Sequence, residues 1–187
     1  ALARLRQGLF HQAEDVQVSI HCVAGEFYIE NDVVKSVMDA DITQPDPASP
    51  VISQDHVSGY TVYGLEDRRF LLSSINDCSV VDGLDFATAE QSPGPLVRVK
   101  GDRGDLFLFK TDSVEPWRNT GNADFPYEPM PTTIQKGLFA ANAVASVDNT
   151  FAWPGHDDIV YRLTGAAPQR ISNHGIERKI KNDADKA

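Results

Sequence analysis

The chain has 187 residues, 41% hydrophobic and 24% charged, with a formal net charge of −10. That length suits one domain or a piece of one, and the hydrophobic share excludes a disordered chain. With 27 Asp and Glu against 17 Lys and Arg, the balance argues against a protein that grips a nucleic-acid backbone, which needs a basic face.

Residues 1–7 read as a short helix stopped by Gly8. They have no Met and no long apolar core, so they are not a signal peptide; with the abrupt Ala187 they suggest a trimmed or partial chain. Residues 16–20 alternate polar and apolar, and His21-Cys22-Val23 runs to the turn Ala24-Gly25-Glu26. Phe27-Tyr28-Ile29 returns, and Asn31-Asp32 turns again before Val33-Val34, a meander of short strands. Residues 38–50 hold Pro45, Pro47 and Pro50 with Asp39, Asp41 and Asp46, and read as a loop because proline cannot sit in an inner strand.

Residues 56–63, rich in Val, Tyr and Thr, are the next expected strand, pairing with 69–75 across Glu66-Asp67-Arg68. Asp82 is positioned to cap a short helix over 84–91, which Ser92-Pro93-Gly94-Pro95 ends. Residues 96–99 and 106–109 form a hairpin about Gly101-Asp102-Arg103-Gly104. Residues 113–117 follow as an edge strand because of Pro116, and 119–131 are turn-rich. Residues 137–147 fit a packed strand or a short helix equally. Residues 150–153 and 159–163 make a further hairpin about Gly155-His156-Asp157-Asp158, 169–172 add an outer strand, and 176–182 read as a short helix.

Taking Gly25, Asp67, Arg103 and His156 as markers, the hairpins lie 42, 36 and 53 residues apart. Such spacing belongs to β-propeller blades. The expected fold is therefore all-β with a few short helices, an array of antiparallel blades, possibly an incomplete propeller. Residues 1–56 form the first blade or blades, 57–180 the main array and 181–187 a loose tail. Phe27, Phe70, Phe107 and Phe151 are expected at equivalent places, filling the layers between blades. Cys22 and Cys78 are too few for a disulfide framework and read as free buried thiols, made in a reducing compartment. No run approaches the 18 apolar residues of a membrane span.

From Val57 to Ile180 the chain resembles the packaged-DNA stabilisation protein family, the tail hub or plug of short-tailed bacteriophages. The pieces come in the family's order. First is Gly59-Tyr60-Thr61-Val62 with Arg69-Phe70-Leu71-Leu72-Ser73-Ser74-Ile75, then Leu84-Asp85-Phe86-Ala87-Thr88-Ala89-Glu90. Leu106-Phe107-Leu108-Phe109 runs to Ser113-Val114-Glu115-Pro116-Trp117 and Thr120-Gly121. Ile134-Gln135-Lys136-Gly137, Ile159-Val160-Tyr161-Arg162 and Pro168-Gln169-Arg170-Ile171-Ser172-Asn173-His174-Gly175-Ile176-Glu177 follow. Family members are far longer. The resemblance implies a β-propeller body, no enzymatic role and a place in the virion tail, assembled in the host cytoplasm. It also implies a homo-oligomeric ring, commonly a hexamer, that meets the portal adaptor ring and tail needle or fibre proteins. Packaged DNA would be held only by enclosure, with no membrane contact and no cofactor; an acidic lumen, which the net charge allows, would let DNA slide through without sticking.

A carbohydrate-binding or glycoside-hydrolysing propeller is the alternative, since sugar cleavage needs two nearby carboxyl groups. The candidates are Asp39 with Asp41, Asp157 with Asp158, and Glu115. Asp157-Asp158 reads first as turn chemistry, and Asp39, Asp41 and Asp46 lack the spacing of a calcium loop. His11, His21, His56, His156 and His174 show no metal-ligand spacing. Cys22 and His21 face opposite ways on one strand, so a nucleophilic Cys/His pair would need other partners. Trp117 and Trp153 are either sugar platforms or blade packing. Arg103 and Glu66-Asp67-Arg68-Arg69 are either partner contacts or solvated tips. Arg178-Lys179-Lys181 is the nearest approach to a basic cluster, and Glu177, Asp183 and Asp185 flank it. A host-interaction module with no assembly role is a third reading. No catalytic, cofactor or metal residue is assigned.

Overall fold

The computed structural model describes residues 18–22, 25–30, 33–36, 39–43 and 49–184. They form four antiparallel meanders in which each strand pairs with the next in sequence. The first is three-stranded: β1 (Val18–Cys22), β2 (Gly25–Glu30) and β3 (Val33–Ser36). The second holds β4 (Val51–Val57), β5 (Tyr60–Leu65), β6 (Arg69–Ser74) and β7 (Asp77–Thr88). The third holds β8 (Leu96–Asp102), β9 (Asp105–Lys110), β10 (Val114–Asn119) and β11 (Tyr127–Pro129), and the fourth β12 (Ala145–Val147), β13 (Thr150–Pro154), β14 (Val160–Thr164) and β15 (Ala167–Arg170). Helix α1 (Ala40–Thr43) precedes β4, and α2 (His174–Ala184) follows β15.

Side-chain alternation explains the stacking. In β9, Leu106 and Leu108 join Val62, Phe70, Leu72, Val99 and Trp117 in the layer between the second and third blades. Phe107 and Phe109 point the other way, into a layer with Phe151, Trp153 and Tyr161 of the fourth blade. Both faces of the third blade are thus buried, as the period of two requires. The second and third blades meet along their first strands: Val99 N–H donates to Ser53 Oγ (2.9 Å), while Lys100 Nζ and Gly101 N–H donate to Asp55 Oδ2 (2.8 and 2.9 Å). Convergence on first strands, with last strands at the rim, is propeller geometry.

The repeat is more regular than the sequence markers imply. Ser58-Gly59, Arg103-Gly104 and Asp148-Asn149 each join the first two strands of a blade, and all six residues have positive φ. This is the tight hairpin turn that matches strand twist, and the turns recur every 45 residues. The uneven 42, 36 and 53 arose because Arg103 marks a first hairpin whereas Asp67 and His156 mark second ones. For the same reason the four phenylalanines are not equivalent: Phe27, Phe107 and Phe151 stand on second strands and Phe70 on a third. Phe70, Phe107 and Phe151 are nonetheless buried.

Local expectations needed correction where tertiary pairing decided. Residues 56–63 are not one strand; Ser58-Gly59 breaks them into the ends of β4 and β5. The helix expected over 84–91 is instead the end of β7, because Phe86, Ala87 and Thr88 pair with Leu71, Phe70 and Arg69. The Asp82 carboxylate does bond a nearby amide, Leu84 N–H at 3.0 Å, but it shapes a bulge. Strand β10 is an inner strand despite Pro116. Pro116 O accepts from Met130 N–H, and the return bond to Met130 O, which proline cannot donate, comes from Gln91 Nε2 at 2.8 Å. Within the 38–50 loop, residues 40–43 form α1, and within 137–147 only 145–147 are strand. The helix expected over 1–7, His11 and Asp46 lie outside the described residues.

Candidate functional site

The seam between the second and third blades holds a buried ion pair. Lys110 ends β9 and Glu115 sits in β10, five residues apart across a tight turn, and both side chains are 0% exposed. Lys110 Nζ lies 2.5 Å from Glu115 Oε1 and donates to Ala89 O and Ser92 O, each at 2.5 Å. Glu115 Oε1 also accepts from Ser92 N–H (2.9 Å) and Ser92 Oγ–H (3.1 Å), while Ser92 Oγ and Ser113 Oγ are 2.5 Å apart. The pair clamps the connector between the blades onto the third blade. Glu115 Oε2 makes no hydrogen bond, but the group is sealed from solvent, so it is no glycosidase acid.

The other acidic candidates are also engaged by the fold. Asp39 Oδ1 accepts from Asp41 N–H at the start of α1 (2.9 Å), and its Oδ2 accepts from Val81 N–H of β7 (3.0 Å). Asp41 Oδ2 accepts from Gly83 N–H at 2.9 Å. A Cβ on Gly83 would lie 2.5 Å from Asp41 Cγ, so a glycine is what lets the carboxylate reach the strand. These two acids cover part of the free edge of β7.

Asp157 anchors the fourth blade. Its Oδ2 accepts from Lys136 Nζ and Tyr161 Oη–H, each at 2.7 Å, and its Oδ1 from Ile159 N–H at 3.4 Å. Partial burial raises its pKa, but the bonds from Lys136 and Tyr161 outweigh this and hold it below the ordinary carboxylate value. Asp158 takes the turn's positive φ of 63°. Sequence reasoning missed that Asp67, Asp112 and Asp157 occupy the second turn of successive blades, again 45 residues apart. Asp67 bonds Arg69 N–H (3.1 Å) and Arg69 Nε–H (2.7 Å). Comparing the chain with itself at an offset of 45 would have exposed this series.

A family model described as bacteriophage P22 Gp10, beta-propeller, matches residues 12–187. The chain belongs to the P22 Gp10 β-propeller family. It is a structural phage protein of that stabilisation family, and its sheets are the propeller blades the family implies. No curated protein matches it. Among solved structures it is similar to a chain of the mitotic checkpoint complex at 14% identity and a TM-score of 0.60, covering 84% of this chain and 47% of that one. The computationally designed Ika8 protein gives 14% identity and 0.51, covering 87% and 47%. The extracellular domain of the putative one-component system BT4673 from B. thetaiotaomicron gives 12% and 0.51, covering 93% and 23%. These likenesses concern the fold alone. The chain spans about half the length of the first two.

In this Gp10-family chain the aromatic candidates are packing residues. Trp153 is fully buried, donates Nε1–H to Lys136 O at 3.3 Å and packs among Phe109, Phe151 and Tyr161. Trp117 is 6% exposed and meets Phe70 edge to face at 5.0 Å. His156 Nδ1 accepts from Gly137 N–H at 3.2 Å, and His174 lies 3.2 Å from Glu177. Burial lowers the pKa of His56, against the pull of Asp55. Cys78 is buried, at 5% exposure. Of the charged tip at 66–69, Arg69 is buried, paired with Asp67 and set over the Phe86 ring at 5.6 Å. Arg103 is exposed at its turn. The first strands β4 and β8 carry Asp55 and Asp102 alongside Arg98 and Lys100.

An open crevice of ≈ 560 Å³ runs between the third and fourth blades, its walls including Phe107, Pro116, Ile134 and Leu163. Asp105 and Glu128 are its carboxylates and Arg118 its cation. Phe107 is its one aromatic residue and is 8% exposed, so the crevice offers little stacking surface for a sugar.

Proposed function

We propose that this chain is a structural component of the phage tail hub, closing the tail channel and helping to retain packaged DNA. Family membership over residues 12–187 carries this reading. The fate of the candidate acids supports it: Glu115, Asp39, Asp41 and Asp157 are all committed to holding blades, turns and edges together. Copies of the chain assemble as a homo-oligomeric ring, hexameric as the family resemblance implies, between the portal adaptor ring and the tail needle or fibre proteins. Retention comes from enclosure: a ring of fitted subunits closes only when each face matches its neighbour.

The test is assembly and retention together. Purified protein should sediment as a closed oligomer and bind the adaptor ring, and virions lacking it should release their DNA. A protein that stays monomeric at high concentration and leaves DNA-filled virions intact in its absence would end this reading. The carbohydrate alternative now falls on Asp105 and Glu128 of the crevice. Glycan cleavage lost in Asp105→Asn and Glu128→Gln would establish it in place of the hub.

A further inference from the structure

Strand β7 pulls away from β6 beside Leu72. Ser73 pairs with Val81 and Leu71 with Phe86, so residues 82–85 stand opposite Leu72 alone. Such a bulge takes its residues out of the ladder. Asp82, Leu84 and Asp85 are exposed, Leu84 by 86%. The bulge contains Asp82-Gly83, the one Asp-Gly pair in a sequence that has no Asn-Gly pair.

An Asp-Gly pair can undergo one reaction with no outside reagent but water. The glycine's amide nitrogen attacks the aspartate's own carboxyl carbon, and glycine permits the approach because it has no Cβ. Here Asp82 Oδ1 accepts from Leu84 N–H at 3.0 Å. This Asx turn folds the carboxyl group back along the Gly83 peptide and keeps its carbon near the Gly83 nitrogen. A second carboxylate opposes the reaction. Gly83 N–H donates to Asp41 Oδ2 at 2.9 Å, and the nitrogen must surrender that proton as it attacks. A neighbouring negative charge makes the deprotonated amide less favourable. Asp41 is itself held in place: the Asp39 carboxylate accepts from Asp41 N–H and Val81 N–H at 2.9 and 3.0 Å, fastening the start of α1 to β7. A Cβ on Gly83 would lie 2.5 Å from Asp41 Cγ. The bare glycine that makes the bond reactive is therefore also what lets Asp41 reach it.

We propose that Asp82-Gly83 is a site of spontaneous backbone isomerisation and that Asp41 is the positioning residue that restrains it. In the first step the Gly83 nitrogen bonds to Asp82 Cγ. The bond from Cγ to the carboxyl hydroxyl breaks, and the hydroxyl leaves as water with the proton from the nitrogen. In the second step water adds to one carbonyl of the five-membered imide and reopens the ring. Opening at the Asp82 backbone carbonyl leaves the chain running through Cγ, which is isoaspartate. The water lost is regained, so composition and mass are unchanged and nothing is oxidised or reduced. The product carries one extra methylene in the backbone of the bulge, beside the contact with α1.

The test incubates the full chain near neutral pH and digests it with trypsin, which releases peptide 70–98. Electron-transfer fragmentation then distinguishes isoaspartate from aspartate at equal mass. Isoaspartate should accumulate at position 82 ahead of every other aspartate in the chain. Asp41→Ala should raise its rate by about twofold to tenfold, the factor equivalent to the net strength of one hydrogen bond. Asp41→Asn, which keeps an acceptor but loses the charge, should fall between. Hydrogen exchange over the rest of β7 separates a released amide from an unfolded strand, and it should stay as in the unaltered protein. A position 82 altered no faster than the other aspartates overturns the site. Asp41→Ala without acceleration, or with acceleration matched by a general rise in exchange along β7, overturns the restraining role of Asp41.

Discussion

Replacing Lys110 by methionine tests whether the buried pair is a structural clamp. Methionine keeps most of the side-chain volume but leaves the Glu115 carboxylate buried without its cation. Losing one partner of a buried pair costs about 3–5 kcal/mol. The carbonyls of Ala89 and Ser92, which Lys110 Nζ now meets at 2.5 Å, also lose their donor, and each orphaned group costs about 1–3 kcal/mol. Ala89 is fully buried and Ser92 9% exposed, so water offers limited relief. We expect a loss of at least about 5 kcal/mol, a large part of the roughly 5–15 kcal/mol that holds a typical domain together. In Lys110→Met/Glu115→Leu the unpaired charge is gone, but the two carbonyls and the Ser92 amide stay orphaned. The double variant should therefore be destabilised by at least about 3 kcal/mol, but by less than Lys110→Met alone. Urea unfolding followed by fluorescence suits this, because Trp117 and Trp153 report on the two layers flanking the third blade. If the double variant were as unstable as the sum of the two single ones, the pair would be uncoupled and the reasoning wrong.

Phe151→Ala should cost about 3–5 kcal/mol, because Phe151 is fully buried and touches the rings of Phe107, Phe109 and Trp153; thermal unfolding by calorimetry would show it. Gly137→Ala should disrupt the junction between the third and fourth blades, since a Cβ there would lie 2.0 Å from Thr111 O, a backbone atom that cannot swing aside. Gly121→Ala is its control: with nothing within 4 Å and a φ of 68°, it should cost only about 1–2 kcal/mol, and hydrogen exchange would locate either effect. Asp157 has a depressed folded pKa, so its contribution is present above the unfolded value near 4 and is lost as pH falls through the folded one. Asp157→Asn should thus flatten the acid limb of a stability-versus-pH curve below about pH 4 and leave the relative shape near neutrality unchanged. An unaltered acid limb would show that the Lys136 and Tyr161 bonds add no charge-dependent stability.

The hairpins about residues 66–68, 101–104 and 155–158 were legible because strand alternation and turn residues are local properties of the chain. The family was legible too, from ordered pieces between Val57 and Ile180. The 45-residue register was present in the turns at Ser58-Gly59, Arg103-Gly104 and Asp148-Asn149 but hidden by markers taken from different hairpins. The segment after Asp82 shows the limit of local signals. Its cap chemistry exists, yet pairing with β6 supplies more bonds than an isolated turn of helix could.

By itself, the sequence determined a β-rich chain of repeated hairpins whose alternating side chains need neighbours on both faces. Only the tertiary structure decided that Lys110 and Glu115 are an interior pair, that Pro116 sits in an inner strand with Gln91 supplying its missing bond, and that the candidate acids hold blades together. The difference is physical. Backbone direction follows from neighbours in sequence, whereas the state of a charge depends on what covers it, and that cover comes from segments as distant as the connector at 89–95 and the strand at 114–119.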